Sequence, residues 1–334
     1  MDVTFVIAGG IRREYILPPV GAPMLDAPGG SALYACGGLL TWAGEVGILG
    51  RVGEDYPRSW LQAIEGRGVD IRGIKILPRR LDLRDFLAYD SEFEITRGSP
   101  VSQFARRRLP FPKALLGYQP PADSHEDIRL PEFKSPSATE IPADYRDARA
   151  VHLCPLDFVS QHQLITAFKA AGVTTVTVDP SAGYMTPSFL QDLRIVLGSA
   201  TAFLPSEAKI RSLFWGQTYD LWEMMSAVGS YGCEIVVVKR GAGGQAVYDV
   251  NGGHRWEIPA YPARPADPTG AGDAFSGGFL AGFKRSYDPL QAALHANVAA
   301  SLKVEGTGAF YALSVLEGLA EARLDVLRDL VRAV

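Results

Sequence analysis

Ala150-Val151-His152-Leu153, then a helical stretch over 158–171, then Thr174-Thr175-Val176-Thr177-Val178 together set the architecture of this chain. Each flank is a short apolar, β-branched run with little alternation. Such runs suit strands buried on both faces of a parallel sheet. The form continues downstream with strand-like runs at 202–204 and 235–238 and a helical stretch at 221–231. Strand and helix in alternation predict βαβ units with right-handed crossovers. Upstream, 4–8 runs into Gly9-Gly10 and 46–49 into Gly50, with helical stretches at 31–42 and 59–67. The reading is an α/β fold, doubly wound.

Several segments depart from this rhythm. Runs at 83–90 and 92–96 flank Asp90-Ser91 and predict a hairpin outside the main sheet. Residues 100–142 carry eight prolines and little periodicity. A long irregular stretch inside a compact domain is either a surface insertion or a segment near the substrate. A second hairpin is predicted over 245–250 and 254–258, around Asn251-Gly252-Gly253. The C-terminal part reads as helices over 289–304 and 312–332.

Composition narrows the function classes. With 47% apolar and 21% charged residues among 334, the chain is not mostly disordered. Lys plus Arg number 33 and Asp plus Glu 37, a net charge of −4, which counts against a nucleic-acid partner. No apolar run reaches the roughly 18 residues of a membrane span, and the first residues lack a signal-peptide pattern. Cys36, Cys154 and Cys233 form neither a disulfide framework nor a CxxC pair. The expected setting is a reduced cytoplasm, with no membrane partner.

The richest motif is Asp267-Pro268-Thr269-Gly270-Ala271-Gly272-Asp273-Ala274-Phe275-Ser276-Gly277-Gly278-Phe279. Gly270 and Gly272 permit a tight loop, and small and apolar residues then follow at helical spacing. A glycine loop opening a helix leaves free N–H groups that favour an anion. Asp273 in the same first turn would repel that anion unless it faces another atom, such as a substrate hydroxyl. A carboxylate beside an anion nest fits phosphoryl transfer: Asp273 takes the hydroxyl proton, and the N–H groups of Ala271, Gly272 and Asp273 hold developing charge. The plainer alternative is a carboxylate that only complements the helix dipole. No Walker sequence is present. The Gly241-Ala242-Gly243-Gly244 loop leads into a hairpin, so a dinucleotide fingerprint fails its context.

These residues resemble the ribokinase-like sugar and nucleoside kinases, the PfkB family. The 13-residue motif is similar to its C-terminal signature. Gly29-Gly30-Ser31 and Gly47-Ile48-Leu49-Gly50-Arg51-Val52-Gly53 are similar to its first signature region. The resemblance implies a three-layer α/β/α sandwich with a small β-sheet lid, drawn from about 11–19 and 72–98 within one domain spanning 1–334. It implies transfer from Mg-ATP to an alcohol, with Asp273 as base and Gly270, Ala271 and Gly272 as anion hole. Lys239, Gly241 and Gly243 would contact the nucleotide phosphates, and Asn297 would sit near adenine or pack structurally. Asp267 and Thr269, with the loop around Gly306-Thr307-Gly308, would hold a monovalent cation, usually potassium. Glu14, Gly29, Gly30, Arg12 and Tyr34 fall on the acceptor side.

Departures from the family pattern are specific. Its Asn-x-x-Glu motif, linked to magnesium, reads Ser206-Glu207-Ala208-Lys209, leaving Glu207 as a partial substitute. An Asp common after the first strand is Glu14, with Arg12 and Arg13 beside it, and the Asn after the Gly-Gly pair is Tyr34. The arginines suit a carboxylate or phosphate on the acceptor. The leading expectation is an ATP-dependent kinase of a sugar, sugar acid or polyol. The alternatives are a nucleoside kinase and a nucleotide-binding paralogue without transfer activity. An exposed lid sheet would suggest a homodimer.

Overall fold

The computed structural model describes residues 3–120 and 130–334. Its main sheet contains β1 (Phe5–Ala8), β4 (Val46–Gly53), β5 (Ile74–Leu77), β8 (Ala150–Leu153), β9 (Thr175–Val178), β10 (Ala202–Phe203), β11 (Ile235–Lys239), β12 (Gln245–Asp249), β13 (Arg255–Ile258) and β14 (Arg332–Ala333). The order is β14-β13-β12-β11-β10-β9-β8-β1-β4-β5. Pairing is parallel from β5 to β11 and antiparallel from there to β14.

Helices cover both faces, and strand parity shows why the runs are continuously apolar. In β1, Val6 and Ala8 join a core with Leu164 and Phe168, while Phe5 and Ile7 join another with Leu33 and Leu280. A strand buried on both faces leaves no position for polar alternation. The helices are α1 (Ser31–Leu40), α2 (Arg58–Glu65), α3 (Pro100–Arg106), α4 (Phe158–Ala170), α5 (Leu193–Leu197), α6 (Glu207–Leu213), α7 (Leu221–Gly229), α8 (Ala271–Ser286), α9 (Pro289–Lys303) and α10 (Leu319–Arg328). Helix α8 packs between α1 and α9.

A second sheet has the order β3-β2-β6-β7, from β3 (Met24–Gly29), β2 (Arg12–Leu17), β6 (Arg84–Tyr89) and β7 (Ile95–Thr96). This is the lid, with two corrections to its expected bounds. Residues 74–77 lie at the edge of the main sheet, because Ile74 pairs with Gly50 and extends β4 beyond the expected stop. Strand β3 joins the lid although it carries Pro28 and has Asp26 at φ 52. Proline is tolerated because β3 is an edge strand. The expected helix over 312–332 is also divided. Gly318 at φ 79 precedes α10, and the chain then turns into β14 against β13.

The Pro-rich stretch has two roles; its part at 121–129 lies outside the described residues. Phe104, Leu115 and Tyr118 are buried against Tyr15, Leu17, Phe86 and Ala88 on the outer face of the lid. The Tyr118 hydroxyl accepts the Phe86 N–H at 3.2 Å. Further on, Glu132, Lys134 and Ser135 line the cavity under the lid. The chain itself thus covers the outer face of β2 and β6, while Leu25 on β3 and Ile95 on β7 stay exposed at the sheet's edges. Among the described residues no helix is long and apolar enough to cross a membrane.

Candidate active site

The carboxyl ends of β1, β8, β9 and β11 converge below the first turn of α8, and the lid closes the other side. Ligand sites in open α/β sheets form at such strand ends. A cavity of about 400 Å³ lies here, lined by Arg12, Glu14, Tyr34, Asp85, Lys134 and Asp273, among others.

Gly270 caps α8 at φ 71, a left-handed conformation that glycine adopts without steric penalty. A Cβ there would also lie 2.0 Å from Tyr34 Cγ. The N–H of Ala271 is taken by the Pro268 carbonyl at 3.1 Å. This corrects the expected three-donor nest: Gly272 and Asp273 keep N–H groups without an acceptor among the described residues, and Ala271 does not. The Asp273 carboxyl is pushed up to about 6 by burial first and by Asp179 second, against the pull of Lys239 and Lys209. A carboxylate poised near neutrality suits a general base.

Asp179, at the end of β9, accepts Lys209 Nζ at 2.8 Å and also the Lys239 ammonium. Burial opposes its charge, but the two ammonium groups hold its carboxyl below the usual range. Lys239 also donates to the Gly272 carbonyl and Ser276 Oγ, each at 3.2 Å. Lys239 thus reaches the first turn of α8. Gly241 and Gly243 lie in the exposed turn after β11. Asn297 is buried between protein partners. Its side chain accepts from the Tyr261 N–H and donates to Gln245 Oε1 and the Pro259 carbonyl. These bonds tie α9 to β12 and to the 259–261 segment.

On the acceptor side, Glu14 is buried and accepts from the Gly30 N–H at 2.8 Å and the Tyr34 hydroxyl at 2.7 Å. Burial raises its carboxyl to about 7, with the two donors pulling the other way. Gly30 caps α1 at φ 98, and Gly29 ends β3 opposite Arg12. Tyr34 is enclosed, with Gly270 against its ring and the Lys303 ammonium 5.3 Å from the centroid. Its ring has no free face on which to stack a base. Strand parity separates the arginines: Arg12 faces the cavity, whereas Arg13 turns outward to Asp26 at 3.0 and 2.8 Å. Arg12 and Lys134 make no ion pair among the described residues; burial and the Arg12 charge lower the Lys134 ammonium.

The metal expectations meet specific obstacles. Glu207 pairs with Arg211 at 2.6 Å and approaches Arg240 at 3.6 Å. Asp179 already carries two lysines. Among the described residues no cluster of three His, Cys, Asp or Glu could hold a metal. A magnesium ion here would be held by the nucleotide phosphates and at most one or two carboxylates, with no dedicated protein cage. At the monovalent-cation position, Thr269 donates its N–H to Asp267 Oδ1 at 2.9 Å, and its hydroxyl meets Tyr89 at 2.9 Å. The Asp267 and Gly306 carbonyls that would ligate an ion instead accept from Lys303 Nζ.

Asp85, Lys134, Asp179, Lys209 and Lys303 were not singled out as site residues from sequence. A carboxylate directly after a buried strand was an available signal for Asp179. Lys303 resembles an ordinary basic residue in a helix's last turn.

A glycine turn opening α8, the half-buried Asp273 in its first turn and a lidded cavity thus meet at the strand ends of a doubly wound sheet. The model described as "pfkB family carbohydrate kinase" matches residues 140–315, just over half of the chain. The chain belongs to this family of kinases. It is 27% identical over 285 residues to a cytidine kinase of Thermococcus kodakarensis, covering 84% of this chain and 88% of that one. It is 24% identical over 283 residues to an ATP-dependent ribose-1-phosphate kinase of Halopiger xanaduensis, covering 84% and 81%. A putative ribokinase II from E. coli, solved with ATP and magnesium, superposes with TM-score 0.69 at 21% identity, covering 98% of this chain and 100% of that one.

Proposed function

We propose that this protein transfers the terminal phosphoryl group of ATP to a hydroxyl of a small polyhydroxyl compound, most simply a carbohydrate. The observation that carries this is Asp273, half-buried in the first turn of α8 beside two N–H groups that have no acceptor among the described residues, and opening on the lidded cavity. The acceptor hydroxyl gives its proton to Asp273 as its oxygen attacks phosphorus. The N–H groups of Gly272 and Asp273 face the charge on the moving phosphoryl oxygens, and the Lys239–Asp179–Lys209 array supplies fixed positive charge nearby. Glu14 and Asp85 offer carboxylate oxygens to other acceptor hydroxyls, and lid closure excludes water.

A second reading is favoured by Arg12 and Lys134, two cations lining the same cavity that make no ion pair among the described residues. They suit an acceptor with a carboxylate or phosphate substituent. The ribose-1-phosphate kinase relative supports this reading, and the cytidine kinase relative supports a nucleoside acceptor. ADP release is the test, measured with ATP across sugars, sugar acids, sugar phosphates, polyols and nucleosides. Turnover restricted to nucleosides would reject the carbohydrate reading. ATP binding without turnover on any acceptor would reject transfer and favour the non-catalytic paralogue.

A further inference from the structure

Lys303 ends α9 with its side chain only 1% exposed, and the Asp267 side chain beside it is 0% exposed. Its ammonium donates to the Asp267 carbonyl at 2.8 Å and the Gly306 carbonyl at 3.1 Å. It lies 3.3 Å from Asp267 Oδ2, an oxygen that has no hydrogen-bond partner among the described residues. The ring of Tyr34 lies 5.3 Å from Nζ. Two carbonyls, a buried carboxylate and a π face are the surroundings a monovalent cation requires, and a protein cation already fills them. Burying both charges is favourable only with close mutual pairing and satisfied protons.

We propose that the Lys303 ammonium is a built-in monovalent cation, occupying the position where bound potassium was expected and making this protein independent of that ion. Its role is positioning. Asp267 Oδ1 accepts the Thr269 N–H at 2.9 Å and so fixes the loop that ends at Gly270. Gly270 caps α8, whose next N–H groups face the phosphoryl site. Tyr34 lies between Lys303 and Gly270 and donates its hydroxyl to Glu14. One ammonium therefore braces both the anion turn and the acceptor wall.

Only the turnover arm of the test rests on the proposed kinase activity; the thermal arm reads the cation site without any acceptor. Thermal unfolding of the full chain is compared in potassium chloride and choline chloride at equal ionic strength. The wild-type midpoints are expected to coincide. A saturable rise with potassium alone would overturn the proposal. Lys303→Ala opens space for an ion, so its midpoint should fall in choline and recover in potassium or ammonium chloride. Lys303→Met fills the space without charge and should fall in both salts. Where an acceptor is known, Lys303→Ala should lose about tenfold or more of its turnover in choline, in line with a charged hydrogen-bond network broken at one member, and regain most of it in potassium. An alanine variant that folds and is blind to potassium in both readouts reduces Lys303 to packing and overturns the proposal. If that variant does not fold in either salt, the wild-type comparison decides.

Discussion

Replacing Asp273 by Asn removes the proton acceptor while keeping nearly the same volume at the start of α8. The carboxyl is raised to about 6 by desolvation first and by the charge of Asp179 second. A base with that value is about one-tenth ionised at pH 5 and about nine-tenths at pH 7. The sign follows: kcat/KM of the wild type should rise roughly tenfold per unit below pH 6 and level off above it. Asp273→Asn should lower kcat by roughly 10²–10⁴ and abolish that acidic limb, with nucleotide affinity little changed. A companion variant, Asp179→Asn, removes the charge that raises Asp273 and should move the limb to lower pH. The assay is steady-state ADP release from pH 5 to 8 across a range of acceptor concentrations at saturating ATP, which yields both kcat and kcat/KM. A limb that persists near pH 6 in Asp273→Asn, or a kcat within about threefold of wild type, would refute base catalysis by this residue.

Other substitutions probe the surrounding supports. Gly270→Ala places a methyl group 2.0 Å from Tyr34 Cγ at a φ of 71, so both thermal stability and kcat should fall; an unchanged midpoint in differential scanning calorimetry would contradict the packing. Phe104→Ala removes a buried ring stacked on Phe86 and should cost about 3–4 kcal/mol in urea unfolding, with faster proteolysis of the lid; a neutral result would show that the insertion does not hold the lid. Glu14 and Asp273 have folded-state values of about 7 and about 6, above their ordinary 4.5 and 3.8. Their contribution to stability is therefore full below about pH 4 and lost as pH rises through 6 to 7. Glu14→Gln should flatten part of that decline, and an identical pH–stability profile would exclude Glu14 as a source.

The alternation of strands and helices was legible because both signals are local. A strand between two helical layers must be apolar throughout, as at 150–153, and a crossover helix must follow it. The glycine turn at 267–273 was equally legible, since backbone conformation and side-chain chemistry lie within seven consecutive positions. Edges were less so. Strand β3 contains a proline and a left-handed Asp26, and β14 is two residues long, so neither carries a strand pattern; their pairing partners define them. The same applies to 74–77, whose sequence suits either sheet and whose register with Gly50 assigns it to the main one.

Local sequence was enough for the α/β class and for the glycine turn that carries the candidate base, because each rests on neighbouring residues and intrinsic backbone preferences. Which charges meet depends on the folded chain. Lys209 reaches Asp179 across 30 residues, and Lys303 reaches Asp267 across 36. The fold also decides that the insertion covers the lid and lends Lys134 to the cavity. Those contacts depend on where the crossovers return the chain, and burial then makes each unpaired charge costly enough to fix its partner.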